Sequence, residues 1–329
     1  MGCEFNSSTH AERGHVTYIS EKTGLMKERE IEYAIVNGCA VFEGDIIINT
    51  KEGITAARDM GANRIKKGDI ARELPEVIHP GIVFRGVVIV GTGVRWHNAS
   101  IPYTIDPGLP NQARVTDAIA HWQANTPIRF KVRSNEADYV TFFSDPDGCA
   151  SNVGRQGGQQ GIWLANGCST GNTIHEIGHT VGLWHEQSRE DRNNFVTIHY
   201  ENIMDGYAHN FDQQIADGDD VGGYDYGSIM HYPSDAFSKN GLDTITPPPG
   251  VSIGQREALS FGDIMAVAYM YGRGEWYVGN VNTHELHIPS CYWASLMRPT
   301  NRRYFWTVEE AKASGYNGCW YCNRYWDTG

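Results

Sequence analysis

The feature that most constrains this chain is the run His175-Glu176-Ile177-Gly178-His179-Thr180-Val181-Gly182-Leu183-Trp184-His185. Two histidines four positions apart face the same side of a helix, one turn from each other. That is the separation two ligands of one zinc ion require. Glu176 is set off around the helix, beside such an ion, where its carboxylate can take a proton from a bound water. Gly182 can adopt the left-handed conformation that ends a helix. The chain then turns and returns His185 as a third ligand. Three protein ligands leave one position open, which is the mark of a catalytic zinc rather than a structural one. Glu176 also stands three residues after Thr173, so a capping box begun by Thr173 is a second, compatible reading of that carboxylate.

The rest of the chain divides into three segments. With 329 residues, length alone suggests about two domains at roughly 150 residues each. Apolar residues make up 40% of it, enough to build a core. Residues 1–85 are polar, with one apolar island, Ile35–Ile48, that reads as strand or extended chain. Residues 86–273 carry a mixed pattern of helix and strand. Short strands are expected at 101–106, 128–132, 139–143 and 160–165. A helix is expected over Ala113–Asn125, with Val115, Ile119 and Trp122 on one face, and a closing helix over 260–271 capped by Ser260. Residues 274–329 are aromatic-rich, and a short helix opens there at Thr307-x-x-Glu310 and ends at Gly315. The net charge is −12, and the middle segment carries most of it, with 21 acidic against 11 basic residues. An acidic chain is a poor general nucleic-acid binder, because the phosphate backbone needs clustered cations. Its apolar runs are far shorter than a membrane span. The acidity of the middle segment would favour cationic substrates.

Downstream, Ser228-Ile229-Met230-His231-Tyr232 has the form of a Met-turn, and His185 is followed by Glu186-Gln187-Ser188-Arg189-Glu190-Asp191-Arg192. Together with the zinc run these residues resemble the astacin family of metzincin zinc endopeptidases, and most closely its bacterial members. The resemblance spans residues 96–272. It implies an α+β, two-subdomain protease with a twisted mixed sheet and a zinc-binding active-site helix. It implies that His175, His179 and His185 bind zinc, and that Glu176 is general base and then acid. Tyr232 would be a weak extra ligand that donates a hydrogen bond to the oxyanion. Met230 would form the apolar floor under the metal. Glu186 would receive the new N-terminus after activation. Residues 1–85 would be a latency pro-segment. A cut by a trypsin-like protease is expected at Arg85-Gly86, the length of an astacin N-terminus before Trp96.

Seven cysteines remain to be placed. In an extracellular chain Cys149 and Cys168 should pair across a Gly-rich loop, and the matching astacin disulfide supports this. The family's usual second disulfide has no cysteines here to form it. His287-x3-Cys291 and Cys319-x2-Cys322 lie 27 residues apart, which is a structural zinc arrangement. The surrounding residues resemble a small Ada-like metal-binding module, with His287 in place of one cysteine. A disulfide plus a free thiol is the competing reading. Cys39 is left without a partner, six residues before Asp45, so one of the two is expected to close the catalytic zinc in the latent form. Cys39 is the first choice because zinc binds thiolate strongly. Asp45 is the alternative, in Phe42-x-Gly44-Asp45, which resembles the astacin pro-segment. Cys3 would suit a lipid anchor at the cell surface.

The expectation is a secreted zinc endopeptidase, made as a latent precursor and acting on protein or peptide substrates. The competing class is a non-catalytic surface binding module in which zinc is structural. That reading requires a fourth permanent protein ligand.

Overall fold

A computed structural model describes residues 11–19, 26–36, 39–50, 85–89, 92–146, 148–213, 218–272, 277–288, 291–297, 301–305 and 307–322. Cys3 and the side chain of Cys39 lie outside the described residues.

The fold is α+β. The early segment forms β1 (Ala11–Ile19), β2 (Met26–Val36), β3 (Cys39–Phe42) and β4 (Ile46–Thr50). After β5 (Arg85–Ile89) come β6 (Ser100–Ile105), β7 (Arg129–Val132), β8 (Tyr139–Ser144), β9 (Cys149–Ser151) and β10 (Gln159–Leu164). All of these except β5 join in one nine-stranded sheet, in the order β1-β2-β3-β4-β9-β10-β8-β6-β7. β7, β6, β8 and β10 run parallel, whereas β9 is antiparallel to β10 and forms the edge that β4 joins. The apolar island therefore resolves into the end of β2 and the strands β3 and β4, the last two joined by a turn at 43–45. The long β1–β2 pairing has no counterpart in the pattern of the polar sequence before it.

Helices α1 (Ala113–Asn125) and α2 (Thr170–Val181) pack on this sheet. Val115, Ile119 and Trp122 of α1 are all buried. They meet Phe142 and Ile162 from the sheet and Ile174 and Ile177 from α2 in one core. The Trp122 indole donates to the Ile174 carbonyl at 3.0 Å, so its one polar atom is satisfied inside that core. The cap of α2 is Ser169 with Asn172, and Thr173 only returns its hydroxyl to the Ser169 carbonyl. This corrects the capping-box reading of Glu176. The helix starts a turn earlier than that reading required, which leaves Glu176 in the helix interior. Gly182 ends α2 with φ 117°, the left-handed geometry expected of it.

Beyond α2 the chain is mostly irregular. Short strands β11 (Thr197–Ile198) and β13 (Ile245–Thr246) pair with each other. β12 (Gly218–Gly222) pairs antiparallel with β5. A second apolar cluster of Val196, Ile203, Phe211, Tyr224, Tyr232 and Ile245 holds this lower subdomain. α3 (Phe261–Tyr271) closes it, with a reciprocal cap between Ser260 and Asp263. The last segment forms the sheet β16-β14-β15-β17 from β14 (Tyr277–Asn280), β15 (Glu285–His287), β16 (Arg302–Phe305) and β17 (Asn317–Gly318). It also has two short helices, α4 (Tyr292–Ser295) and α5 (Val308–Ala313), with α5 capped by Thr307. Leu286, Phe305, Ala311 and Tyr316 pack at its centre. It rests on α3 through Tyr304 and Phe261, whose rings are 5.8 Å apart.

Candidate metal centre

The periodicity of α2 and the turn after Gly182 bring three imidazoles together. The Nε2 atoms of His175 and His185 are 3.3 Å apart. Asp45 reaches them from the turn between β3 and β4. Its carboxylate oxygens lie 3.2 Å from His175 Nε2, 3.6 Å from His179 Nε2 and 3.3 Å from His185 Nε2. These four ligand atoms all lie within 4.8 Å of one another. They form the set of four that a tetrahedral zinc takes.

The chemistry of the donor set tests whether a metal fits. Each histidine uses Nδ1 elsewhere: His175 donates to the Ile229 carbonyl and His179 to the Leu183 carbonyl, both at 2.8 Å, and His185 donates to Glu43 Oε2 at 2.8 Å. Those bonds fix the orientation of each ring and turn its Nε2 inward. His179 Nε2 and Asp45 Oδ1 are buried and make no hydrogen bond. Bare lone pairs converging in a buried space are costly unless a cation takes them. Burial, then the charge of Arg256, pulls His175 down to about 3, and burial lowers His179 too. Both groups therefore offer neutral nitrogens. The donor set suits zinc.

Glu176 is 2% exposed and adjoins this cluster, and its Oε2 has no hydrogen-bond partner. Burial and the charge of Asp45 raise its pKa well above the usual carboxylate range, so it can carry a proton. Met230 lies under α2. A Cβ placed on Gly178 would come 2.5 Å from its sulfur, so glycine here lets the turn approach the helix. Asp263 holds that turn by accepting from Ser228 Oγ at 2.6 Å and from the Ile229 amide at 3.0 Å. Tyr232 is buried against His185, and its hydroxyl donates to the Glu43 carbonyl. Glu186 accepts from the Asp225 amide at 2.8 Å and lies 3.8 Å from Arg189, which also donates to the Gly86 carbonyl at 3.2 Å.

The residue beside the histidines is thus Asp45, the alternative to Cys39. Cys39 sits on β3 with its backbone paired to Val36 and Thr50, and its side chain lies outside the described residues. It is the Glu43-Gly44 turn that enters the cleft, with both residues left-handed at φ 48° and 79°. The Phe237 ring covers Gly44 so closely that a Cβ there would push the ring aside. Gly86 is buried in β5 opposite Val221, so the expected Arg85-Gly86 cut falls inside a paired strand.

Three residues of the site had no signal in the sequence. Glu43, Ser188 and Arg256 are single polar residues without a motif of their own. Arg256 lines the cleft with Glu176, Tyr232 and Phe237. Its cation is the reason the net charge of the segment is a poor guide to the cleft.

A second cluster lies in the last segment. His287, Cys291, Cys319 and Cys322 place their ligand atoms within 4.8 Å of one another. His287 Nδ1 is 3.4 Å from Cys291 Sγ and 4.0 Å from Cys322 Sγ. All three thiols are free, and the disulfide among the described residues joins Cys149 to Cys168. Burial and the neighbouring thiols push the Cys322 thiol up, a pressure that a bound cation reverses.

No described helix is long and apolar enough to cross a membrane. The profile of the astacin peptidase family matches residues 89–272, more than half the chain. Zinc metalloproteinase nas-36 of Brugia malayi is 37% identical over 253 residues, which cover 71% of this chain and 43% of that protein. Astacin-like metalloprotease toxin 1 of Loxosceles intermedia is 42% identical over 187 residues, 54% of this chain and 70% of the toxin. High choriolytic enzyme 1, a hatching enzyme zinc-protease from Oryzias latipes, superposes with a TM-score of 0.51 at 38% identity, over 55% of this chain and 96% of that structure. The chain spans under half the length of nas-36 and of the Caenorhabditis elegans relative nas-13. The zinc-binding helix, the Met-turn and these relationships together place the chain in the astacin family of zinc metallopeptidases.

Proposed function

We propose that the chain is a secreted zinc endopeptidase held latent by its first 85 residues, with 86–273 as catalytic domain and 274–329 as an appended Ada-like module. The observation that carries this is the convergence of three histidine Nε2 atoms beside Glu176, with the remaining position taken by a carboxylate from the early segment. His175, His179 and His185 hold zinc, which when bound lowers the pKa of a water and polarises a peptide carbonyl. Glu176 takes the proton of the attacking water and gives it to the leaving amine. Tyr232, released from the Glu43 carbonyl, donates to the oxyanion. Met230 keeps the floor of the site apolar and in place.

Latency follows because Asp45 fills the position that water needs. Activation cuts the segment away, and β5 must part from β12 before a trypsin-like protease can reach Arg85-Gly86. Glu186 then receives the freed N-terminus, with Arg189 donating to the Gly86 carbonyl beside it. The Cys149–Cys168 disulfide supports an oxidising, extracellular setting. Four ligands from one module support a structural zinc at His287, Cys291, Cys319 and Cys322.

The test is to measure zinc content and peptide hydrolysis of the full chain before and after trypsin. Two zinc ions and no hydrolysis before the cut, with hydrolysis after it, is the expected result. A chain that stays inactive after removal of residues 1–85, with zinc still closed by four protein ligands, favours the non-catalytic binding module.

A further inference from the structure

The zinc histidines do not share one kind of support. The partners of His175 and His179 are carbonyls of the catalytic domain itself, at Ile229 and Leu183. The partner of His185 is a carboxylate from outside that domain, Glu43 Oε2 at 2.8 Å. The other oxygen of Glu43 accepts from Ser188 Oγ at 2.9 Å, and its carbonyl accepts from the Tyr232 hydroxyl. Glu43 is 0% exposed, as is the His185 side chain it holds. One residue thus engages a metal ligand, the tyrosine of the site and a serine, with no solvent to replace it. It does so from a left-handed backbone that disfavours a non-glycine residue, a strain these bonds offset.

We propose that Glu43 is a second latch of the latent state. It orients His185 so that the uncut chain retains its catalytic metal more firmly than the cut one, while its carbonyl keeps Tyr232 away from the substrate position. The physical basis is that a carboxylate is a stronger acceptor than a carbonyl and raises the basicity of the histidine it holds. When the segment leaves, His185 Nδ1 and Ser188 Oγ lose that partner together, and the ring is held less firmly. Glu43 is therefore a positioning residue, acting through His185. The proposal rests on reading the triad as a zinc site and residues 1–85 as removable.

The experiment uses the full chain loaded with cobalt(II) and challenged with excess chelator. Thiolate charge-transfer bands report the C-terminal cluster and serve as an internal control. The visible bands of the histidine–carboxylate site report release there. In Glu43→Ala, release from the histidine site is expected to accelerate by about 10–100-fold, the usual cost of losing an outer partner of a metal ligand. The thiolate signal should be unchanged. Glu43→Gln keeps one acceptor for Nδ1–H and should recover part of the difference, and it carries the test if the alanine variant does not fold. Equal release rates in wild type and in these variants would overturn the proposal. A wild-type chain that takes up no metal at the histidines would instead sink the reading on which the proposal rests.

Discussion

Among the described residues two clusters have the donor sets to hold a cation, and they differ in where their ligands come from. At the C-terminal cluster all four ligands belong to one short segment, between His287 and Cys322, and three are thiols. Nothing that could be cut away without destroying the module contributes to it. At the histidine cluster three ligands come from α2 and the turn after it, and the fourth comes from Asp45, 130 residues earlier. Closure by a module's own thiolates makes a metal part of the fold. Closure by a removable carboxylate makes the fourth position conditional, which is what a latent catalyst requires.

Experiments can break this comparison at several points, and the largest effect is expected at Glu176. Glu176→Ala in the trypsin-treated chain should lower kcat/KM by about 10²–10⁴-fold, the usual worth of a general base, with both zinc ions retained. Full activity in that variant would show that the carboxylate beside the histidines does no proton transfer. Asp45→Ala comes next. In the uncut chain it should allow a small fraction of the trypsin-treated hydrolysis, because Glu43 still holds Tyr232, whereas Cys39→Ser should leave the uncut chain silent. If the two variants behaved the other way round, the thiol and not the carboxylate would close the site.

Cys322→Ser should sharpen the contrast. Zinc content is expected to fall from two ions to one, with thermal stability lowered and turnover of the surviving folded enzyme kept. A loss of the catalytic zinc instead would show that the two sites are not independent. Removing the Cys149–Cys168 disulfide by paired serine substitution should cost about 3 kcal/mol for a loop of this length, read as a lower melting temperature. Asp263→Asn weakens the anchor of the Met-turn and should cost about 1–3 kcal/mol, because it disturbs buried hydrogen bonds. Denaturant unfolding would measure it. An unchanged midpoint would mean that Ser228 and Ile229 are held by other contacts.

Much of the site is legible in the sequence because its geometry is local. A repeat of four on a helix, a glycine that stops it and a third histidine just beyond need no knowledge of the rest of the fold. The helices Ala113–Asn125 and Phe261–Tyr271 are legible for the same reason: each has an apolar face of helical period, and the second has a capping serine. β1 is not, because its polar residues give no alternating pattern to read. β9 is three residues long and carries no pattern of its own.

What the sequence determined by itself is therefore the chemistry of the machine: three imidazoles and a carboxylate at fixed local offsets, a Met-turn, and a histidine with three thiols spaced for a second metal. What the tertiary structure alone decided is which distant groups meet them. Asp45 and Glu43 reach the histidines only because β4 joins the edge of β9 and the Glu43-Gly44 turn passes beneath Phe237. The side chain of Arg256 enters the cleft from a loop after the lower subdomain, and Arg189 joins Gly86 to Glu186 across two elements. Spacing along a chain encodes contacts within a helical turn. Contacts between residues more than a hundred positions apart depend on how sheet and helices pack, and no local pattern carries that information.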